Sequence, residues 1–403
     1  MRVLLASTAR FHFVSAAVEL KQRGMLGGIV TGLLPSRIFE PRLSDELVVS
    51  VPFWRTLNYA ATGRVLESLE RWLEWKSNDA VDRTAANYLD GCDALITMAG
   101  TGREAGSAIQ RQGGRFLVDR PVIHIRQQDQ VLAEAYESAG VPYSPIDPAK
   151  IRQGEEEYLQ ADGILASSQL VARTLSSCGV DSAKVFVLPL GVDLSQYYPE
   201  GCPEQGSFTI GFAGAVTIQK GIHVLAEAIR KLADPTLRLW VAGQVHHEGL
   251  PFLRALEECC RLEVLGPVSQ DVLRRRFSES NAFVLPSVQD GFGMVVSQAM
   301  ACGCPVIVSR NAGASEIVEN GVSGLLFDSG DSAALCEHLR TLKETPAIGH
   351  AFGQNALNTV RGLGGWASYG DRLAGLLSAL HEGRSIDLSW KSNSSSAFGP
   401  TMN

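Results

Sequence analysis

Short apolar runs alternate along the chain with longer stretches in which apolar residues recur every three or four positions. In the first half the runs are RVLLAS (2–7), GGIVTG (27–32), ALITM (94–98), RFLVD (115–119) and GILASS (163–168). In the second half they come in tighter order: FTIGFAG (208–214), LRLWVAG (237–243), RLEVLG (261–266), AFVLPS (282–287), PVIVS (305–309) and GLLF (324–327). Each run is too short for a helix and lacks the polar alternation of a half-exposed strand, so it reads as a strand covered on both faces. Strand and helix in alternation predict parallel sheets flanked by helices, and two such series predict two doubly wound α/β domains in tandem. The polar, Pro- and Gly-punctuated segment SQYYPEGCPEQGS (195–207) is the expected linker, dividing residues 1–198 from 206–360. The last residues, 386–403, have no periodicity and are expected to be disordered. No repeat of solenoid length is present.

Composition narrows this picture only at a few points. At 403 residues and 45% hydrophobic, the chain is long enough for two cores and is not of the disordered class. No apolar run reaches the roughly 18 residues of a membrane helix, and the opening MRVLLAS is too short for a secretion signal, so a cytoplasmic protein is expected. The net charge of -7 argues against a nucleic-acid partner. The first 150 residues are electrically balanced, and the acidic excess falls entirely beyond them. The eight cysteines include no paired C-x-x-C spacing of a zinc site, and most are expected to be buried thiols.

Chemistry concentrates in LPSVQDGFGMVVSQAMACGCPVIVS (285–309). An apolar run ends in a loop with Asp290, then Gly291-Phe292-Gly293, then a helical pattern. A helix starting near Gly293 leaves its first amides, around Met294 and Val295, without carbonyl partners and with roughly half a positive charge. The two glycines are expected to let a ligand approach the backbone, which makes the junction an anion site of the diphosphate kind. Asp290 lies upstream and Gln298 downstream, placed for a sugar hydroxyl and a ribose hydroxyl. In GFAGAVTIQKGIHVLAEAI (211–229), Gly214 and Lys220 occupy the loop after another strand, where Lys220 would supply a full positive charge.

These segments, with ASEIVENGVSGLLFD (314–328) and VLPLGVDLSQYYP (187–199), resemble the donor-binding domain of the retaining glycosyltransferases of the large GT4 family. That resemblance implies the GT-B fold, two Rossmann-like domains facing across a cleft. It further implies transfer of a sugar from a nucleotide diphosphate, UDP- or GDP-linked, to a saccharide or lipid-linked acceptor, with retention at the anomeric carbon and no metal. Lys220, Asp290 and a first-domain histidine would be catalytic, and Gly214, Gly291, Phe292, Gly293, Met294, Val295 and Gln298 would help bind the donor. The pattern departs from the family at three positions. Asp290 and Gln298 stand where it has glutamates, and Ala215 stands where it has a phosphate-binding arginine. The last leaves Lys220 and the helix dipole alone against the diphosphate unless Arg10, Arg126 or Arg310 reaches in. By the same resemblance the helix 366–383 returns to the first domain, with Trp366 and Tyr369 as packing anchors.

In the first domain the sugar-contacting residue is expected to be His124, in DRPVIHIRQQDQ, with His12 as the rival and Arg126 beside the cleft. Glu157 and Asp162 read as structural, and the run Glu155–Glu157 as a solvated face. Val65, Leu66, Leu69, Trp72 and Leu73 form one stripe. Core or acceptor-cleft packing is expected for it, against the alternative of Trp72 and Trp75 resting peripherally on the inner face of a membrane. The pair His246-His247 has no partner spaced for a metal. Competing functions are an impaired relative that binds a nucleotide sugar without transferring it, another enzyme of the same fold such as an epimerase or phosphorylase, and a nicotinamide oxidoreductase. The last lacks its G-x-G-x-x-G after the first strand. A bacterial polysaccharide or glycolipid pathway is the context the resemblance suggests.

Overall fold

The computed structural model describes residues 1–10, 12–38, 40–61 and 67–384. Its first sheet has seven parallel strands: β1 (Val3–Ser7), β2 (Leu26–Thr31), β3 (Val48–Ser50), β4 (Ala94–Met98), β5 (Arg115–Arg120), β6 (Gly163–Ala166) and β7 (Val185–Val187), in the order β3-β2-β1-β4-β5-β6-β7. The second has six: β8 (Thr209–Ala213), β9 (Arg238–Ala242), β10 (Arg261–Gly266), β11 (Ala282–Leu285), β12 (Val306–Ser309) and β13 (Leu325–Phe327), in the order β10-β9-β8-β11-β12-β13. The expected architecture of two doubly wound parallel sheets is therefore present, with every expected strand. Sequence reading missed β3 and β7, which are three residues long and lie at the sheet edges, too short to display a period.

Each sheet reverses its winding at one place, between β1 and β4 in the first and between β8 and β11 in the second. Adjacent loops diverge there and leave a crevice at the strands' carboxyl ends. Apolar side chains cover both faces of both sheets. In the second sheet, for example, Ile210 and Phe212 enter one core cluster while Trp240 and Phe283 enter another.

The segment expected as a linker is partly built into the second domain. Tyr197 is buried beside Phe277, and the Arg274 guanidinium donates to the Gln196 carbonyl and pairs with Glu200. Its polar composition hid one aromatic anchor. The helix Gly365–Glu382 crosses to the first domain, where Tyr369, Leu373, Leu376 and Leu377 join the cluster under β1 and the helix Phe13–Gln22. Arg23 donates to Asp371 and to the Ala367 carbonyl along this seam. The 386–403 tail lies outside the described residues.

All eight cysteines are free, and four of them, Cys260, Cys302, Cys304 and Cys336, are buried, fewer than expected. Glu157 is not part of a solvated face. It is buried, with its carboxylate accepting from the Gly100 amide at 2.6 Å, and burial pushes its pKa up to about 7. Glu155 pairs with Arg126, while Asp162 accepts from the Phe116 amide. No helix among the described residues is long and apolar enough to cross a membrane.

Candidate functional site

The loops after β8 and β11 flank the second sheet's reversal and meet one another. Val288 donates its amide to the Gln219 carbonyl at 2.9 Å, which ties the two loops side by side. This brings Lys220 and Asp290 together, with Nζ and Oδ2 2.5 Å apart. The side chains are only 24% and 12% exposed, so the pair is largely withdrawn from water. The two residues, expected at the diphosphate and at the sugar respectively, also bind each other. Their separation of 70 residues gave no signal for it.

Gly293 starts the helix Met294–Ala301 at φ +83, a left-handed conformation that glycine adopts without strain. No side chain caps this helix, so its first amides keep their donor capacity and their share of the dipole. The Asp290 carboxylate lies close by, with Oδ2 3.5 Å from where a Cβ on Gly293 would stand. The arrangement is one ammonium, one carboxylate and an open helix start. It can receive an anion whose charge is shared between Lys220 and the amides.

Gly291 acts differently from expectation. A methyl group there would lie 1.6 Å from the Pro121 carbonyl oxygen, so the space beside it is filled by the first domain rather than left for a ligand. Ser168 reinforces the contact by donating to the Gly291 carbonyl at 2.7 Å. Phe292 is also corrected: its ring is buried in the second domain's core and is not available to a donor. Met294 and Val295 are half-buried against that same core. Gln298 is half-buried, and its side-chain amide has no hydrogen bond among the described residues. At Gly214, φ +147, an added Cβ would stand in ordinary contact with the Lys220 stem, 3.9 Å from it.

A second interdomain link was not legible in the sequence. Glu316 reaches across and accepts from the amides of Gln169 and Leu170 at 2.9 and 2.7 Å, serving as an added cap for the helix Gln169–Ser177. The residue stands in the quoted segment 314–328, yet nothing local reveals that its partner lies in the other domain. On another side of the seam, Tyr136 donates to Glu248 at 2.7 Å.

The two first-domain histidines both stand at helix starts, His12 before Phe13–Gln22 and His124 before Ile125–Ser138. His124 is a helix cap: its Nδ1 accepts from the Arg126 amide, its ring packs on Tyr158, and it is almost fully buried. Burial pulls its pKa down to about 4. His12, at the carboxyl end of β1, holds Asp119 of β5 at 2.5 Å (Nε2 to Oδ2), with the Tyr369 ring 6.4 Å away. Asp119 thus fixes the imidazole's orientation.

Of the cations that could replace an arginine at Ala215, two are engaged elsewhere. Arg126 makes a two-pronged contact with Glu155, and Arg310 pairs with Asp328. Arg10 is exposed after β1 and has no ion pair among the described residues. Among those residues, no group of three His, Cys, Asp or Glu side chains could hold a metal ion, His246 and His247 included.

Residues 207–345 match the sequence model of the family described as Glycosyl transferases group 1. The chain is 31% identical over 258 residues to the D-inositol 3-phosphate glycosyltransferase of Thermomonospora curvata, covering 56% of this chain and 59% of that one. It is 29% identical over 219 residues to the enzyme of the same name from Pseudarthrobacter chlorophenolicus, covering 50% and 52%. The chain thus spans between half and about three-fifths of these curated relatives' length. Among solved structures it is similar to sucrose-phosphate synthase from Thermosynechococcus elongatus, with TM-score 0.71 and 17% identity over 95% of this chain and 100% of that one. It is also similar to Anabaena HepE in complex with UDP and glucose, with TM-score 0.69 and 16% identity over 94% and 100%. This protein therefore has the GT-B fold, and its second domain carries the sequence pattern of the glycosyl transferases group 1.

Proposed function

We propose that the protein is a retaining glycosyltransferase that moves a sugar from a nucleoside diphosphate, UDP- or GDP-linked, to an acceptor hydroxyl without a metal ion. The observation that carries this reading is the convergence of Lys220 and Asp290 on the uncapped start of the helix Met294–Ala301. As the glycosidic bond breaks, negative charge grows on the departing diphosphate, and stabilising it is the main catalytic demand. Lys220 and the amides of Met294 and Val295 supply that stabilisation from positions fixed in advance. Asp290 holds the ammonium in place and orients the donor sugar, and Gln298 offers its amide to the ribose. Arg10 is the remaining candidate for a second cation at the diphosphate. Contact between the domains at Gly291 excludes water that would otherwise hydrolyse the donor. The likeness to group 1 glycosyl transferases supports the same reaction class, and a polysaccharide or glycolipid product is the corresponding context.

A thermal-shift panel of UDP-, GDP- and ADP-sugars tests the donor. A ligand at 100 times its Kd adds about 2.7 kcal/mol of stability. Stabilisation by one base family, lost in Lys220→Ala, is the expected outcome, and no response to any of the three overturns the reading. The anomeric configuration of the product, followed by NMR, decides retention. A second reading, binding without transfer, is favoured by Ala215 and by the engagement of Arg126 and Arg310 elsewhere. Release of free sugar from the stabilising donor separates an active enzyme from an inert one.

A further inference from the structure

A cavity of about 840 Å³ lies in the first domain, and none of the junction residues lines it. It opens between the starts of the helices Glu67–Asn87 and Pro148–Gln160 and beside Arg103, which follows β4. In a parallel sheet these positions all belong to the carboxyl face, the face from which Pro121 and Ser168 reach the second domain.

Two tryptophans, Trp72 and Trp75, line the cavity while 45% and 48% exposed. Their spacing puts them on one face of the helix. Of the stripe expected to pack in the core or the acceptor cleft, only Leu73 is buried, Leu69 is exposed, and Val65 and Leu66 lie outside the described residues. The Lys76 ammonium stands 5.6 and 4.8 Å from the two ring centres, so it steadies both indoles together. Around them, the side chains of Asn78, Arg152 and Glu156 make no hydrogen bond or ion pair among the described residues. Lys150 and Glu74, by contrast, satisfy each other at 2.7 Å. Four basic and three acidic side chains line the cavity, so its charge nearly cancels.

The lining selects its occupant. A polyanion calls for a clear surplus of positive charge. An alkyl chain would use the indoles alone and leave the half-buried Asn78 amide unpaired. A saccharide matches both features, because its C–H faces lie flat on indole rings while its hydroxyls donate to Glu156 and accept from Asn78 and Arg152. The volume is within the range of small-molecule sites and has room for more than one sugar ring.

We propose that this cavity is the acceptor subsite and that it binds a neutral saccharide of at least two rings by stacking on Trp72 and Trp75; calling the occupant the acceptor rests on the transferase reading above. The test uses the full chain and a panel of maltose, cellobiose, lactose, mannobiose and chitobiose, each titrated by saturation-transfer NMR with and without UDP. At least one disaccharide should bind saturably. Trp72→Ala and Trp75→Ala should each weaken it by about tenfold, and Glu156→Gln should weaken it while leaving the melting temperature unchanged. UDP binding should be unaffected by any of the three. Saccharide binding that survives both tryptophan substitutions, or no binding by any member of the panel, would overturn the proposal. So would vesicles of equal phosphatidylcholine and phosphatidylglycerol that retain the wild type, but not the tryptophan variants, while no disaccharide binds. Failure of UDP, GDP and ADP to bind would instead sink the transferase reading and leave a saccharide site standing.

Discussion

Removing the Lys220 ammonium gives two effects that the structure allows to be sized separately. In the unliganded protein, Lys220→Ala leaves the Asp290 carboxylate mostly withdrawn from water with no cation. Loss of one member of a fully buried pair costs about 3–5 kcal/mol. Here the lysine is about a quarter exposed, so the figure must be reduced for solvent screening. The neighbouring helix start then returns about 0.3–1 kcal/mol to the carboxylate. A net destabilisation of about 1.5–3 kcal/mol follows, readable in urea denaturation. In binding, the same substitution removes a charge-assisted contact of about 1.5–3 kcal/mol, which is about 10- to 150-fold in Kd for a nucleoside diphosphate. Asp290→Asn supplies the contrast. The amide keeps the side chain's shape but releases Lys220 from its counter-charge, so UDP or GDP should bind more tightly while sugar transfer falls. Isothermal titration of both variants with the free diphosphates gives the comparison. If both variants bind equally, or if Asp290→Asn weakens binding as much as Lys220→Ala, the ammonium is not shared between carboxylate and diphosphate, and the electrostatic account fails.

Three further outcomes follow from the same geometry. Gly291→Ala should force the domains apart at Pro121, which small-angle scattering would report as a larger radius of gyration and a transfer assay as lost turnover; an unchanged radius with full activity contradicts the contact. Leu376→Ala should cost about 2–5 kcal/mol of first-domain stability in denaturant titration, because the side chain is fully buried against another part of the chain. His124 titrates near 6.5 when unfolded and near 4 when folded. The unfolded chain therefore takes up the proton first as pH falls, and stability contributed by this residue is lost between 6.5 and 4, by about 3 kcal/mol at most. His124→Gln should flatten that part of the stability curve, and an unaltered acid limb would refute the assignment.

What the sequence made legible was whatever is encoded over short distances. Unbroken apolar runs located every long strand, and the succession Asp290, Gly291, Phe292, Gly293 marked the helix start, because turn, glycine and helix are contiguous. Local patterns say nothing of which loop faces which. The partnership of Lys220 with Asp290, of Glu316 with the Gln169 and Leu170 amides, and of Gly291 with Pro121 are all contacts between distant segments. Histidine gave the same difficulty in another form. His124 and His12 both follow strands and precede helices, and only packing decides that one caps its helix with its side chain while the other turns its ring to Asp119.

The return of the helix Gly365–Glu382 to the first domain has a consequence for biosynthesis. The amino-terminal lobe receives part of its interior from residues made after the entire second lobe, so a ribosome translating the middle of the message carries a half-finished module. Through that interval the surface awaiting Tyr369, Leu373, Leu376 and Leu377 stays greasy and open to other nascent chains. Chain elongation at about 5–20 residues per second makes the wait many seconds long, a window in which a chaperone has something to hold.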